Sequence, residues 1–83
     1  MATYSSQFSE RFLDQAKKLD RHQRELIFYR IAKIQQQPEL GKPLHAPLSG
    51  YRSERLEHWR IIYKITGNSV FFAWLEPRKH AYH

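Results

Sequence analysis

The stretch Trp59-Arg60-Ile61-Ile62-Tyr63-Lys64-Ile65-Thr66-Gly67-Asn68-Ser69-Val70-Phe71-Phe72-Ala73-Trp74-Leu75-Glu76 decides the fold. β-Branched and aromatic residues dominate both arms, and such side chains suit a pleated, half-buried surface. Gly67-Asn68 between the arms is a two-residue turn of the kind that closes a tight hairpin. Residues 59–66 and 69–76 therefore read as paired strands. Alternation on the first arm puts Trp59, Ile61, Tyr63 and Ile65 on one face and Arg60, Ile62 and Lys64 on the other. The first set is the more apolar and is expected to meet a core, which leaves Arg60 on the open face.

Upstream, Tyr51 to Glu57 reads as a third strand, with a short turn at Glu57-His58. Leu56 is the apolar member of its set, so Tyr51, Ser53, Arg55 and Glu57 should join Arg60 on the open face. Residues 38–50 hold three prolines and two glycines and read as one long loop. Before it the period changes to that of a helix. Phe8, Phe12, Leu13, Ala16 and Leu19 paint one stripe, with Ser9 as N-cap and Glu10 in the first turn. Asp20 and Gln23 have capping-box spacing ahead of a second helix. Its apolar face is Leu26, Ile27, Ile31 and Ile34, with Phe28 beside it. Pro38 ends it, because the residue before a proline is pushed out of helical geometry. Thr3 to Gln7 can add a further strand. The expected fold is α+β, one domain over residues 1–83. An N-terminal helical hairpin covers one face of a small antiparallel sheet of three to four strands, and the other face is basic.

Composition narrows the function. The chain has 83 residues, 41% hydrophobic and 27% charged, which suits a small globular domain rather than a disordered one. A domain of this size buries only about 60–65% of its unfolded surface. No apolar run approaches the roughly 20 residues of a membrane span, and no charged start leads into an apolar stretch as a secretory signal requires. A cytoplasmic protein without membrane partners is expected. There is no cysteine, so disulfides, thiolate nucleophiles and cysteine metal sites are excluded. The net charge of +6, from 14 Lys and Arg against 8 Asp and Glu, favours a polyanionic or acidic partner.

The residue pattern offers little for most enzyme chemistries. Among the five histidines only His80 and His83 have ligand-like spacing, and no acidic cluster joins them, so neither metal nor cofactor is expected. The basic set is richer. Arg52, Arg55, Arg60, Arg78 and Lys79 lie on the strands or just after the last one. Guanidinium forks match phosphate oxygens and stay charged, which is what a phosphoryl transition state needs as its negative charge grows. The competing reading is a solvated strand face. Residues 76–83 add His80, Tyr82 and His83, whose protons become mobile near arginines; the competing reading there is a frayed segment. Trp59 and Trp74 are expected in the core or at an edge rather than as stacking platforms.

Order and spacing together resemble the RelE/ParE superfamily of toxins from bacterial and archaeal toxin–antitoxin pairs. The resemblance spans nearly the whole chain. It is carried by two helices, a Pro/Gly loop, Leu48-Ser49-Gly50-Tyr51-Arg52-Ser53-Glu54-Arg55-Leu56, Trp59-Arg60-Ile61-Ile62-Tyr63-Lys64-Ile65, the strand from Val70 to Leu75, and Arg78 four residues before Tyr82. The Leu-Ser-Gly run is similar to the YoeB branch. The resemblance implies a metal-independent, ribosome-dependent mRNA endoribonuclease. In it the 2′-hydroxyl attacks the adjacent phosphorus to leave a 2′,3′-cyclic phosphate. It also implies a cognate, acidic antitoxin partner. ParE-type members keep the fold, inhibit DNA gyrase and lack the catalytic set. By position Arg60 matches the catalytic arginine, Arg55 a basic strand residue sharing that charge, and Arg78 a phosphate contact. Tyr82 matches the residue that orients or deprotonates the 2′-hydroxyl, and His83 a general acid. Lys42, Arg52, Lys79 and His80 complete an RNA-binding set. Lys42 stands where the YoeB branch has a glutamate base, and Pro77 where a histidine is common.

Overall fold

The computed structural model describes residues 3–78. In chain order these form β1 (Ser5–Phe8), α1 (Glu10–Lys17), α2 (Arg21–Gln36), a 3₁₀ turn (Pro38–Leu40), β2 (Lys42–Pro43), β3 (Tyr51–Leu56), β4 (Trp59–Thr66) and β5 (Ser69–Pro77). The strands make one sheet in the order β1-β5-β4-β3-β2. The two helices pack on it in an α+β arrangement.

The sheet corrects the expectation of three to four antiparallel strands. It has five among the described residues, and it is mixed, because β1 runs parallel to β5. The strand expected near Thr3 to Gln7 exists, with Ser5 opposite Ser69 and Phe8 opposite Phe72. The fifth strand, β2, is two residues inside the supposed loop, with Lys42 opposite Ser53 and Pro43 opposite Arg52. A proline is tolerated there because β2 is an edge strand and needs no donor on its outer side.

Both helix starts follow their caps. The Ser9 hydroxyl accepts from the Phe12 N–H at 2.9 Å and donates to the Ala73 carbonyl, so one side chain starts α1 and ties it to β5. Asp20 accepts from the Gln23 N–H at 2.8 Å. Where β1 ends, α1 covers the freed edge of β5. The Gln15 amide donates to the Leu75 carbonyl at 2.9 Å and accepts from the Leu75 N–H at 2.8 Å, replacing the strand partner that β5 lacks there.

The core lies between the helices and one sheet face. Phe12, Leu19, Ile27, Ile31, Ile34, Leu56, Ile61, Tyr63, Val70, Phe72 and Leu75 form one buried cluster, with Phe8, Leu26 and Trp59 packed against it. The faces expected for β4 are as observed, since Ile61 and Tyr63 are fully buried. The helical stripe is narrower than expected. Phe8 belongs to β1, and Leu13 and Phe28 are 46% and 53% exposed.

Pairing between β4 and β5 slips at one point. Ile62 faces Trp74 and Tyr63 faces Phe72, which leaves Ala73 as an extra residue in β5. Such a bulge reverses side-chain parity along the bulged strand. Val70 and Phe72 point to the core before it and Leu75 after it. Trp74, which strict alternation would send inward, is delivered to the open face with Ile62.

Candidate nucleic-acid interface

The register of β2, β3 and β4 brings three cations together. Arg55 is directly opposite Arg60, and Lys42 is opposite Ser53 on the next strand. A cleft of about 340 Å³ lies there, lined by Lys42, Leu44, Ser53, Arg55 and Arg60. Neither the Arg55 nor the Arg60 guanidinium makes a hydrogen bond or ion pair with another described residue. Like charges opposite one another on adjacent strands destabilise a sheet. Glu76 stands opposite Arg60 on β5, with its carboxylate taken by the Trp74 indole N–H at 2.8 Å. The cleft lining itself holds two adjacent arginine forks and a lysine, a site suited to a polyanion with phosphate-like oxygens.

The other described arginines of this region are engaged elsewhere. Arg30, on α2, is paired with Glu54 at 2.7 Å and donates to the Arg55 carbonyl at 3.1 Å, which fixes β3 on the core side of the site. Arg52, expected to bind RNA, stands on the opposite face from Arg55. It donates to the carbonyls of Glu39 at 2.9 Å and Gly41 at 2.8 Å. It thus fastens the segment that leads into β2 and sets Lys42.

A second latch holds the same segment. The Tyr63 hydroxyl donates to the Pro38 carbonyl at 2.8 Å. Burial first, then the negative Glu54, push its pKa up to about 12, so the phenol stays a neutral donor. Gly41 passes so close that a Cβ built there would lie 2.0 Å from the Tyr63 oxygen. Only glycine admits this approach, and Lys42 follows directly. The loop closes with the Leu44 N–H donating to the Tyr51 carbonyl at 2.9 Å, which places Leu44 on the cleft wall.

Arg78 sits at the same end of the sheet as Arg55 and Arg60. Its backbone N–H donates to the His58 carbonyl at 2.8 Å, and its guanidinium donates to the Glu57 carbonyl. Glu57 has φ of 51°, the left-handed conformation, in the tight turn between β3 and β4. Arg78 therefore buttresses the turn that carries the arginine pair. Lys79, His80, Tyr82 and His83 lie outside the described residues. The structure thus brings together Lys42, Arg55 and Arg60, sets Arg78 behind their turn, and places Arg52 on the other side. Alternation places Ser53 on this face without assigning it a role, and sequence reasoning missed Leu44 on the cleft wall; the only signal for Leu44 was the register of β2 on β3. Among the described residues no group of three or more His, Cys, Asp or Glu converges as metal ligands would, and no helix is long and apolar enough to cross a membrane.

Comparisons with known proteins follow the same fold. The family model for the ParE toxin of the type II toxin–antitoxin system parDE matches residues 6–81. No curated protein matches the sequence. Among solved structures, a chain of the toxin–antitoxin complex RelBE2 from Mycobacterium tuberculosis aligns with TM-score 0.83 and 22% identity, over 93% of this chain and 100% of that one. The isolated RelE toxin of E. coli aligns with TM-score 0.75 and 22% identity, over 89% and 83%. A chain of the chromosomal ParDE system of P. aeruginosa aligns with TM-score 0.74 and 12% identity, over 90% and 96%. At these identities the likeness is one of fold.

Proposed function

This chain belongs to the ParE toxin family of type II toxin–antitoxin systems, and on that premise we propose that it acts as a RelE-type toxin, a ribosome-dependent endoribonuclease that cuts mRNA and arrests translation in the cytoplasm. The observation that carries this reading is the Arg55–Arg60 pair, opposite one another in a cleft with Lys42 and without a partner among the described residues. Like charges held side by side disfavour the empty sheet, and the negative charge of a phosphodiester undergoing attack offsets them.

In the proposed reaction the 2′-hydroxyl of one nucleotide loses its proton and bonds to the adjacent phosphorus. The bond from phosphorus to the 5′-oxygen breaks, that oxygen takes a proton, and the products are a 2′,3′-cyclic phosphate and a 5′-hydroxyl end. Arg60, half-buried in the cleft wall, holds the scissile phosphate and stabilises the charge that grows on its oxygens. Arg55 shares that charge and Lys42 receives a neighbouring phosphate. Arg78 contributes through the turn it fastens. Tyr82 and His83 are assigned the proton transfers on the resemblance alone. RelE and RelBE2 neighbours support this reading. A cognate antitoxin with an acidic binding segment is the proposed partner, since solved neighbours are toxin–antitoxin complexes and the chain carries +6.

The second reading is a ParE-like inhibitor of DNA gyrase without nuclease activity. The family model and the P. aeruginosa neighbour favour it. Incubation of the purified chain with translating ribosomes and a defined mRNA separates the two. The nuclease reading expects ribosome-dependent cuts ending in cyclic phosphate, reduced about 100-fold or more by Arg60→Ala. Intact mRNA together with inhibited gyrase supercoiling would establish the second reading instead.

A further inference from the structure

We propose that Tyr51 and Trp74 form a platform on which a nucleobase of single-stranded RNA stacks, next to the phosphate held by Arg60; this inference rests on the RNA reading above. The Ala73 bulge turns Trp74 out of the core. Tyr51 on β3 and Trp74 on β5 then meet across β4, with ring centroids 5.6 Å apart and planes inclined at 53°. Ile62 lies on β4 opposite both Ser53 and Trp74. It is only 3% exposed although it faces away from the helices. The two rings roof it, and their outer surfaces remain half-exposed.

Cations border this roof. The Arg11 guanidinium lies 5.1 Å from the Trp74 centroid, and the Lys64 ammonium lies 5.3 Å from the Tyr51 centroid and 5.7 Å from that of Phe71. A partly exposed aromatic surface edged by Arg and Lys is the chemistry that binds single strands, where rings take base faces and cations take the backbone. The distances fit one strand of RNA. Arg60 is two residues from Ile62 on the same face, about 7 Å along the strand, which is within the reach of one nucleotide. The Trp74 indole N–H is already given to Glu76 at 2.8 Å. The indole therefore has no donor left for a base edge, and the platform supplies affinity and placement rather than sequence choice.

The test measures binding of the full chain to a short, fluorescently labelled 2′-O-methyl RNA, which lacks the attacking hydroxyl. A matched series carries one abasic site at each position in turn. In a Trp59→Phe background, Trp74 is the sole tryptophan and reports stacking by quenching. Trp74→Leu is expected to weaken binding about 5- to 100-fold and Trp74→Phe to restore most of it. One abasic position should weaken binding to the parent chain and add nothing in Trp74→Leu, the signature of a shared contact. Tyr51→Leu serves as the second variant if Trp74→Leu loses cooperative unfolding. Unchanged RNA binding in folded Trp74→Leu, with loss in Arg60→Ala, would overturn the platform and leave the phosphate reading standing. Unchanged RNA binding with weakened capture of an antitoxin peptide would make this a protein-contact face and also overturn it. Absence of RNA binding by the parent chain would overturn the platform, and the ribosome assay above would then decide the phosphate reading on its own.

Discussion

Replacing Arg55 with glutamine should stabilise the fold while weakening its proposed activity. Arg60 and Arg55 are cross-strand neighbours, and neither guanidinium has a hydrogen-bond or ion-pair partner among the described residues. Arg60 also faces Glu76 on β5, whereas the cross-strand partner of Arg55 is Arg60 itself. For two cross-strand charges taken as ~7 Å apart, at an effective dielectric of about 40–80, the repulsion is about 0.6–1.2 kcal/mol. That agrees with the roughly 0.2–1 kcal/mol scale of cross-strand pairs. Glutamine keeps part of the aliphatic stem and removes the charge. For a domain of this size the gain corresponds to a Tm rise of roughly 2–10 °C. The assay is thermal unfolding by circular dichroism at low salt and again near 1 M salt, where the screening length falls to about 3 Å. The gain should shrink strongly at high salt. A lower Tm for Arg55→Gln at low salt, or a gain indifferent to salt, would refute the reasoning, because it would mean that Arg55 is held by a favourable structural contact.

Three further outcomes follow from the packing. Gly41→Ala should cost about 2–4 kcal/mol in urea unfolding, since the new Cβ collides with the Tyr63 oxygen and breaks the buried bond to Pro38; wild-type stability would show that the latch does not hold. The Tyr63 phenol, raised from 10.0 to about 12, favours its neutral form in the folded state. Its contribution is complete below pH 10 and is lost as pH rises through about 12, by up to about 3 kcal/mol. Tyr63→Phe should flatten that part of the stability profile, and an unchanged alkaline slope would count against the assignment. Ile61→Asp should fail to fold, because it places an unpaired charge at a fully buried position; a soluble variant unfolding at the wild-type temperature would mean that the sheet faces are inverted.

The antiparallel meander was legible because its information is local. Alternation around Ile61 and Tyr63, the Gly67-Asn68 turn, and the Ser9 and Asp20 caps each act within a few residues, and each stands as expected. What escaped depends on partners distant in sequence. Parallel pairing of Ser5–Phe8 with β5 is set by residues more than sixty positions away, and β1 alone is too short for its period to declare a direction. β2 is two residues whose strand character comes from β3. The site divides in the same way. The Arg55–Arg60 pair followed from alternation across a tight turn. Arg52 looked equivalent by charge, yet parity puts it under the sheet, where two backbone carbonyls take its donors. Trp74 was expected in the core or at an edge because a bulge leaves no mark in a single strand's alternation. Only the pairing of Ile62 with Trp74 and Tyr63 with Phe72 reveals it.

The central claim is that Arg60 acts on the phosphate of ribosome-bound mRNA. Induction of the chain without an antitoxin, with pulse incorporation of methionine and thymidine, tests it most directly. Methionine incorporation is expected to fall rapidly while thymidine incorporation persists, and protein synthesis is expected to recover in Arg60→Ala at equal expression. Preserved methionine incorporation with failing thymidine incorporation, unchanged by Arg60→Ala, would contradict it and move the target to gyrase.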